Sequence, residues 1–316
     1  MGSFLEKPLT EKDTHRGDGP GLQWASSAMQ GWRVNMEDAD IAQVGVDKFE
    51  KLCYFGVLDG HGGDLTSKYA GENMVQTIIE EEAFKKVTEK FEVEALSDAL
   101  YHAHFTMDRK LKAHPRMSQG DTSGSTAITG FVTPNNIVIA NCGDSRSVLC
   151  RGGGQAEAMS FDHKPTNEGE ERRISESGGH VSMGRVNGDL AVSRALGDFV
   201  YKQASHLAPE KQAVSIEPEM KTVAREAGDE FLIFACDGIW DVKSNQQACD
   251  FVRQAMMDGI TDVGTICEML LDNCLEEGSK DNMSIVLVVF ESAPFGEAKP
   301  DAEADESQSK ASESSE

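Results

Sequence analysis

Four apolar segments of this sequence each carry an aspartate at one edge, a position at which a carboxylate can do chemistry. They are Asp59, Asp144, Asp237 and Asp281. A carboxylate at the end of a buried strand is costly unless it is paired or bound to a metal ion, and few Lys or Arg residues adjoin these four in the sequence. Hard oxygen ligands without His or Cys select Mg²⁺ or Mn²⁺ over zinc. The pattern therefore favours a divalent-cation site.

One such aspartate alone would indicate little, because Asp-Gly is a common turn sequence. The four together with the acidic pair Glu37-Asp38 predict a shared site. Glycine beside a carboxylate, as at Gly60, permits a tight turn and frees a backbone carbonyl to act as a ligand. A carboxylate shared by two cations about 3.5–4 Å apart would give a two-metal hydrolytic site, which lowers the pKa of a bridging water.

The elements that must position these residues can be predicted from short apolar runs and their spacing. Strands are predicted over residues 52–58, 125–132, 137–141, 147–150, 230–236 and 285–290. Helices are predicted over residues 69–79, 93–111, 168–177, 244–257 and 263–276, the fourth opened by a capping box. Two successive helices followed by strands favour an α+β layout. The polar, Gly-rich residues 162–200 are predicted to form a functional flap or loop.

The composition is that of a soluble globular protein. Of the 316 residues, 39% are hydrophobic and 27% are charged, which allows a packed core. The 54 acidic and 30 basic residues give a formal net charge of −24. A nucleic-acid binder needs a basic surface, so this charge argues against one. Seven cysteines without a Cys-x-x-Cys pair argue against a disulfide framework or a zinc finger.

Eight motifs, in order, resemble those of the PP2C (PPM) protein phosphatases. They lie at residues 30–39, 55–63, 124–127, 140–146, 162–165, 190–198, 236–242 and 279–284. The resemblance covers roughly residues 22–290, and eight ordered motifs over that span argue strongly against chance agreement. The opening residues 1–8 further resemble the alpha/beta subgroup of the eukaryotic family. That subgroup carries an added C-terminal helical region, for which we expect little room here.

The resemblance implies a four-layer α-β-β-α sandwich, in which two central antiparallel sheets are flanked by helix pairs. The metal ions are then expected in the cleft between the sheets. Residues 22–293 are expected to form the PP2C-type catalytic domain. They would lie between an N-terminal arm at residues 1–21 and an acidic, disordered tail at residues 294–316.

The resemblance also implies roles for the acidic residues. Asp59 is expected to bridge both metal ions, with the Gly60 carbonyl on one of them. Asp237 and Asp281 are expected to complete the shell of the other ion. Glu37 would reach its ion directly or through water, and Asp38 would orient waters. Two further aspartates, Asp144 and Asp241, are candidates for a weaker third metal site.

Substrate-handling roles follow from the same resemblance. Arg33 is expected to hold the substrate phosphate, because a guanidinium forks across two phosphoryl oxygens and stays charged. The metal-bridging water would attack phosphorus in line. His61 would protonate the leaving serine or threonine oxygen, a task that suits a pKa near neutrality. Arg185 is expected on the flap beside the cleft.

Several of these residues also have simpler interpretations when each is taken alone. Arg33 could form a surface ion pair with Glu37, and His61 could be an ordinary turn residue. Asp241 could cap or orient its neighbours. A further aspartate, Asp198, is expected to be structural and to pair with Arg194. Thr126 is expected to be a packed strand residue.

The predicted function is a metal-dependent protein serine/threonine phosphatase that uses two Mg²⁺ or Mn²⁺ ions on phosphoprotein substrates. The first alternative is a catalytically inactive protein of the same fold that acts as a scaffold. Loss of Asp59, Asp237 or Asp281 would support it, and all three are present. The second alternative is a hydrolase of another substrate such as nucleic acid, which the charge of −24 opposes.

The ends of the sequence bear on location. The first sixteen residues lack the apolar core of a secretory signal, and no apolar run approaches the roughly 20 residues that span a bilayer. The expected location is therefore the cytosol, with the nucleus open, and the expected state is a monomer. Gly2 raises N-terminal lipidation, but the sixth position holds Glu6 where the acylation pattern has Ser or Thr, so the local signal is weak.

Overall fold

Antiparallel strands and helices form residues 4–296, the part of the chain that the computed structural model describes. The strands are β1 (Phe4–Gly19), β2 (Leu22–Arg33), β3 (Ala39–Val46), β4 (Phe49–Leu58), β5 (Gly60–His61), β6 (Gly124–Ser125), β7 (Ala127–Val132), β8 (Asn136–Cys142), β9 (Arg146–Arg151), β10 (Gln155–Ala158), β11 (Val181–Ser182), β12 (Arg185–Val186), β13 (Leu196–Gly197), β14 (Glu219–Ala224), β15 (Phe231–Ala235) and β16 (Met283–Phe290).

The helices separate groups of strands along the chain. They are α1 (Leu65–Glu80), α2 (Val93–Lys112), α3 (Pro115–Ser118), α4 (Glu168–Glu176), α5 (Asp237–Trp240), α6 (Asn245–Met257) and α7 (Val263–Glu276), with short 3₁₀ turns at Phe84–Lys86, Phe199–Tyr201 and Pro209–Lys211. Helix α6 begins with the predicted capping box, in which Ser244 and Gln247 exchange side-chain and backbone hydrogen bonds.

Two large sheets carry most of the strands. Sheet I has six strands in the order β1-β2-β16-β15-β9-β10, and sheet II has five in the order β14-β8-β7-β4-β3. All neighbouring strands in both sheets are antiparallel. The short strands form a three-stranded sheet, β13-β6-β5, and the hairpin β11-β12.

Side-chain alternation along the strands explains why the sheets stack. In β15, Ile233 packs with the helices α6 and α7, whereas the next residue, Phe234, packs between the sheets. In β4, Tyr54 packs with α1 and α2, whereas Phe55 packs between the sheets. Each sheet thus buries one face on a helix pair and the other on its partner sheet. The predicted four-layer α-β-β-α sandwich is confirmed.

The first strand corrects the prediction of an N-terminal arm. Residues 4–19 of that segment form β1, which pairs with β2 as an edge strand of sheet I. Arg16 of β1 contacts Asp262 at the start of α7 with an Nε–Oδ1 distance of 2.9 Å. Most β1 side chains are exposed or half-buried, so the strand lacks the apolar alternation by which it could have been predicted.

Other strands also fall outside the predicted segments, among them β2, β3 and β14 of the two large sheets. Strand β2 is buried in the centre of sheet I, yet it contains small polar residues such as Ser26 and Ser27 in place of an apolar run. Strands β3 and β14 are the two edges of sheet II and are half-exposed. Weak hydrophobic contrast along these strands explains why periodicity does not reveal them.

The predicted flap, residues 162–200, has its own small core. Helix α4 and the hairpin β11-β12 pack around Ile174, Val186 and Val192, together with Val214 from the segment that follows. Most of the acidic tail predicted at residues 294–316 lies outside the described residues. Among residues 4–296, none of the helices combines the length and the apolar character required to cross a membrane.

Candidate active site

The strand register brings the four strand-edge aspartates to one end of the sandwich. In sheet I, Ala235 pairs with Ile285, so Asp237 after β15 and Asp281 before β16 lie at the same end. In sheet II, β4 and β8 both flank the start of β7, so Asp59 and Asp144 follow neighbouring strand ends. Because the sheets stack face to face, the two pairs meet across the cleft between them.

This cleft, of about 690 Å³, contains most of the predicted site residues. Its lining includes Arg33, Glu37, Asp59, Gly60, His61, Asp144, Arg185, Asp237 and Asp281. Two predicted residues are not part of the lining. Asp38 is buried behind it, and Asp241 lies at an exposed position in the turn that continues α5, where its backbone N–H donates to the Asp237 carbonyl.

Several carboxylates lie close together at the base of the cleft. We call Asp38, Asp59, Asp144, Asp237 and Asp281 the acidic cluster. Burial, and next the neighbouring carboxylates led by Asp237, raise the pKa of Asp59 well above its ordinary value. Burial and the charges of Asp144 and Asp281 raise the pKa of Asp237 in the same way. The folded chain therefore concentrates negative charge in a place where water solvates it poorly.

The cost of burying a carboxylate is clearest at Asp38. It is 6% exposed, and burial is the main cause that raises its pKa to about 7, against a hydrogen bond from Ser284 that lowers it. The Ser284 hydroxyl donates to Oδ2 at 2.7 Å, while the buried Oδ1 has no hydrogen-bond partner among the described residues. An orphaned buried carboxylate oxygen has room for a further donor or cation.

Two basic side chains reach the acidic cluster, although few Lys or Arg residues adjoin its aspartates in the sequence. Lys164 forms an ion pair with Asp144, whose side chain is 3% exposed. Arg33 contacts Asp281 with an Nη2–Oδ2 distance of 2.5 Å, so its partner is not Glu37, the alternative considered from sequence. Lys164 lies twenty residues from Asp144 in the sequence, and Arg33 lies much farther from Asp281, so sequence adjacency could not reveal either ion pair.

The donor set fits hard divalent cations. Carboxylates and the Gly60 carbonyl supply only oxygen, the ligand type that Mg²⁺ and Mn²⁺ prefer. Within residues 4–296, no group of three His, Cys, Asp or Glu side chains has the spacing needed to bind a metal ion without rearrangement. The fit therefore rests on the buried, mutually repelling charge and on the orphaned Asp38 oxygen.

His61 is held at the cleft by a carboxylate. Its Nε2 lies 2.7 Å from Oδ2 of Asp198, a side chain that is 4% exposed. Burial alone lowers the pKa of His61, but the charge of Asp198 and this hydrogen bond outweigh burial, so the pKa is raised. The prediction that Asp198 pairs with Arg194 is wrong, because Arg194 contacts Glu170 at 2.7 Å.

Gly124 makes the His61–Asp198 contact possible. A Cβ at this position would collide with both Asp198 Oδ2 and His61 Nε2. Its strand β6 pairs with β5, which carries His61, and with β13, which ends just before Asp198. The residue lies in a motif quoted from the sequence, but only the three-dimensional contact shows why it must be glycine.

Two polar residues, Asn282 and Thr126, position the segments that carry Glu37 and Asp59, a role not assigned to them from the sequence. The Asn282 amide donates to the carbonyls of Gln30 and Asn35, and its Oδ1 accepts from the Glu37 N–H at 3.0 Å. Thr126 is buried between β6 and β7 rather than within a strand, and its Oγ1 accepts from the Asp59 N–H at 3.2 Å, which orients the Asp59 backbone. Both contacts lie between segments that are distant in sequence.

Comparisons with known proteins identify the family of this chain. The sequence model of the family Protein phosphatase 2C matches residues 22–283. Mouse Protein phosphatase 1B is 42% identical over 301 residues, covering 93% of this chain and 77% of that protein. Human Protein phosphatase 1A is 42% identical over 297 residues, again covering 93% and 77%.

A solved structure supports the fold alone. Serine-threonine phosphatase 2C from Toxoplasma gondii superposes with a TM-score of 0.76 at 23% identity, covering 92% of this chain and all of that one. The family match and the relatives at 42% identity reach further, because they span the same residues that build the cleft. This chain belongs to the protein phosphatase 2C family of metal-dependent serine/threonine protein phosphatases.

Proposed function

We propose that this chain hydrolyses phosphoserine and phosphothreonine monoesters in proteins at the cleft between sheets I and II. The observation that carries the proposal is the acidic cluster, whose buried charges repel one another beside Arg33 and His61. The cluster calls for cations, the guanidinium suits a phosphate, and the imidazole suits proton delivery. Together these properties match the needs of phosphate-monoester hydrolysis.

Two Mg²⁺ or Mn²⁺ ions are the cofactors that we propose. Asp59, the Gly60 carbonyl, Asp237 and Asp281 would hold them, with Glu37 reaching one ion and Asp38 orienting waters. When bound, the ions supply activation of the attacking water and neutralisation of charge on the phosphoryl oxygens. Asp144 and Asp241 are the proposed ligands of a weaker third ion, for which the Lys164 ammonium competes at Asp144.

Arg33 is the proposed phosphate-binding residue. Its guanidinium lines the cleft, its side chain is 39% exposed, and it already contacts a carboxylate oxygen of Asp281. A guanidinium that pairs with a carboxylate fork can pair equally well with two phosphoryl oxygens. Arg185 of β12 lines the same cleft from the flap and is the second proposed phosphate or peptide contact.

His61 is the proposed general acid. Asp198 contacts its Nε2, which leaves Nδ1 as the atom that can deliver a proton to the leaving serine or threonine oxygen. The buried Asp198 carboxylate fixes the orientation of the ring and favours its protonated form. Asp198 is therefore a positioning residue rather than a group that touches the substrate.

Replacement of a proposed metal ligand tests the function and the site together. Asp237→Asn should lower kcat on a phosphothreonine peptide to below about one hundredth of the wild-type value, since even outer-shell changes at metal sites cost 10–100-fold. The matched control is Asp258→Asn, an exposed position at the end of α6, which should keep full activity. Normal turnover by Asp237→Asn with bound metal would contradict the assignment.

A second readout does not depend on activity. Mn²⁺ should raise the melting temperature of the wild type more than that of Asp237→Asn, because a ligand that binds only the folded state stabilises it. Equal shifts would place the cations elsewhere. The alternative function, an inactive scaffold, would be favoured if Mn²⁺ stabilised the wild type equally well while no phosphopeptide was hydrolysed.

A further inference from the structure

Apolar side chains form part of the cleft beside the proposed phosphate-binding arginine. Phe4 and Val34 both line the cleft, and their exposed fractions are 54% and 47%. Large apolar side chains that remain this exposed inside a polar cleft lose hydrophobic stabilisation unless a partner covers them. The metal-dependent chemistry uses neither of them.

The strand register fixes where this apolar surface lies relative to the phosphate. Phe4 is the Cα partner of Arg33 across the β1-β2 hairpin, and Val34 follows Arg33 directly in the chain. Residues opposite each other in an antiparallel pair have Cβ atoms about 5 Å apart. An extended peptide advances about 3.4 Å per residue, so this surface lies one or two residues from a phosphate held by Arg33.

The Phe4 ring also lies near the segment that precedes β16. The Lys280 ammonium lies 6.0 Å from the ring centroid, within reach of a cation–π contact. Lys280 precedes Asp281, a residue of the acidic cluster, so Phe4 is tied to the segment that carries a proposed metal ligand. On the opposite rim, the flap contributes the apolar residues Leu190 and Ala191 to the lining.

We infer that Phe4 and Val34 form an apolar subsite that selects phosphopeptides with a large apolar residue one or two positions from the phosphorylated residue. This inference rests on the proposed function and names the substrate class of the same cleft. The formal net charge of −24 adds a general repulsion of acidic peptides.

Phosphothreonine peptides with Leu or Gly at each of the two positions on either side provide the test. At one of the four positions, Leu should raise kcat/KM about tenfold over Gly, mainly through KM, since contacts to a flanking side chain are made in the ground state as well. In Phe4→Ala the Leu-to-Gly ratio at that position should fall to about twofold or less.

Matched variants separate the subsite from general effects on strand β1. Leu9→Ala removes a similarly exposed apolar residue, 49% exposed, from the same strand outside the cleft lining and should keep the wild-type ratio. Val34→Thr keeps the side-chain shape but replaces one methyl group with a hydroxyl, and it should lower the ratio without loss of folding. Phe4→Leu, unlike Phe4→Ala, should keep most of the wild-type Leu-to-Gly ratio.

The outcomes distinguish this inference from the function on which it rests. Hydrolysis of all peptides without a Leu preference, or a preference that survives both Phe4→Ala and Val34→Thr, would overturn the subsite and leave the phosphatase proposal standing. Absence of hydrolysis for every peptide, with metal bound to folded protein, would overturn both.

Discussion

At the scale of single residues, the contact between His61 and Asp198 carries the acid–base chemistry that we propose. The two residues are 137 positions apart, and their contact depends on the missing side chain of Gly124. Asp198 lies at the start of a 3₁₀ turn, and its backbone has a left-handed conformation with φ of 51°. A residue that holds a proton donor should matter most when the leaving group needs a proton.

Asp198→Asn should therefore slow alkyl phosphates more than aryl phosphates. We expect kcat on a phosphothreonine peptide to fall about tenfold to hundredfold, part of the 10²–10⁴-fold that general acid catalysis contributes. On p-nitrophenyl phosphate, whose leaving group departs without protonation, the loss should be a few-fold at most. The measurement is kcat for both substrates, and equal losses would mean that Asp198 supports the fold rather than the proton donor.

The sequence reveals some of these residues and conceals others for a physical reason. Asp59, Asp144, Asp237 and Asp281 are visible because each ends an apolar run, where an unpaired carboxylate is costly. The role of Asp198 is concealed, because Arg194, the partner expected from the sequence, pairs with Glu170 instead. Contacts between distant segments decide such pairings, and periodicity does not record them.

At the scale of elements, a buried ion pair holds the flap together. Glu170 of α4 accepts from Arg194 at 2.7 Å, from Arg173 at 2.7 Å and from the Ser193 hydroxyl at 2.6 Å. Burial opposes ionisation, but the hydrogen bond from Arg194 and the charges of both arginines lower the pKa of Glu170 to about 2. This stabilisation is present above the ordinary glutamate pKa and is lost as the pH falls through 2.

Glu170→Gln should open the flap at neutral pH. Removing one partner of a buried pair leaves two guanidiniums uncompensated, and we expect a local loss of about 2 kcal/mol. Tryptic cleavage within residues 162–200 should then be about 30-fold faster. Glu168→Gln, an exposed residue whose side chain is 91% accessible, is the matched control and should leave the rate unchanged. Equal rates for both variants would contradict the structural role of Glu170.

Helix α2 contains a histidine that links stability to pH. His104 is fully buried, its Nδ1 lies 2.9 Å from the Leu100 carbonyl, and its Nε2 lacks a hydrogen-bond partner among the described residues. Burial lowers its pKa to about 4, so the folded state keeps it neutral while the unfolded state protonates near pH 6.5. Stability should therefore fall as the pH drops from about 6.5 to 4.

The variant His104→Leu should remove this part of the pH dependence. The free energy of unfolding of the wild type should lose about 3 kcal/mol more than that of the variant between pH 7 and pH 4. Denaturant titrations at each pH measure the difference, in which the titration of the acidic cluster cancels. His102→Leu, on the exposed side of the same helix, should behave like the wild type. Parallel pH curves for His104→Leu and the wild type would refute the role of burial.

The elements themselves were largely predictable where one face is strongly apolar. The central strands β4, β7, β8, β15 and β16 and the helices α1, α2, α6 and α7 all overlap predicted segments, because their buried faces carry regular apolar spacing. Strand β1 and the sheet II edges β3 and β14 were not, since half-exposed strands show no such contrast. Cross-strand partners stabilise them instead.

At the scale of the whole molecule, the site exists only when the two sheets stack. Asp59 and Asp144 come from sheet II, whereas Asp237 and Asp281 come from sheet I. The four-layer order was implied by the motif resemblance, not by periodicity, because neither spacing nor composition fixes which strands pair. Burial of their apolar faces stacks the sheets and also brings the aspartates of both sheets close together. Bound cations would offset the electrostatic cost of this arrangement.

The most direct test of this account is phosphate release from a phosphothreonine peptide by the purified full chain. Release should occur with Mn²⁺ or Mg²⁺, stop with excess EDTA and return when metal is restored. The same preparation should remain folded by circular dichroism throughout. Release that continues in EDTA, or no release with either metal bound to folded protein, would contradict the assignment of a metal-dependent phosphatase to this cleft.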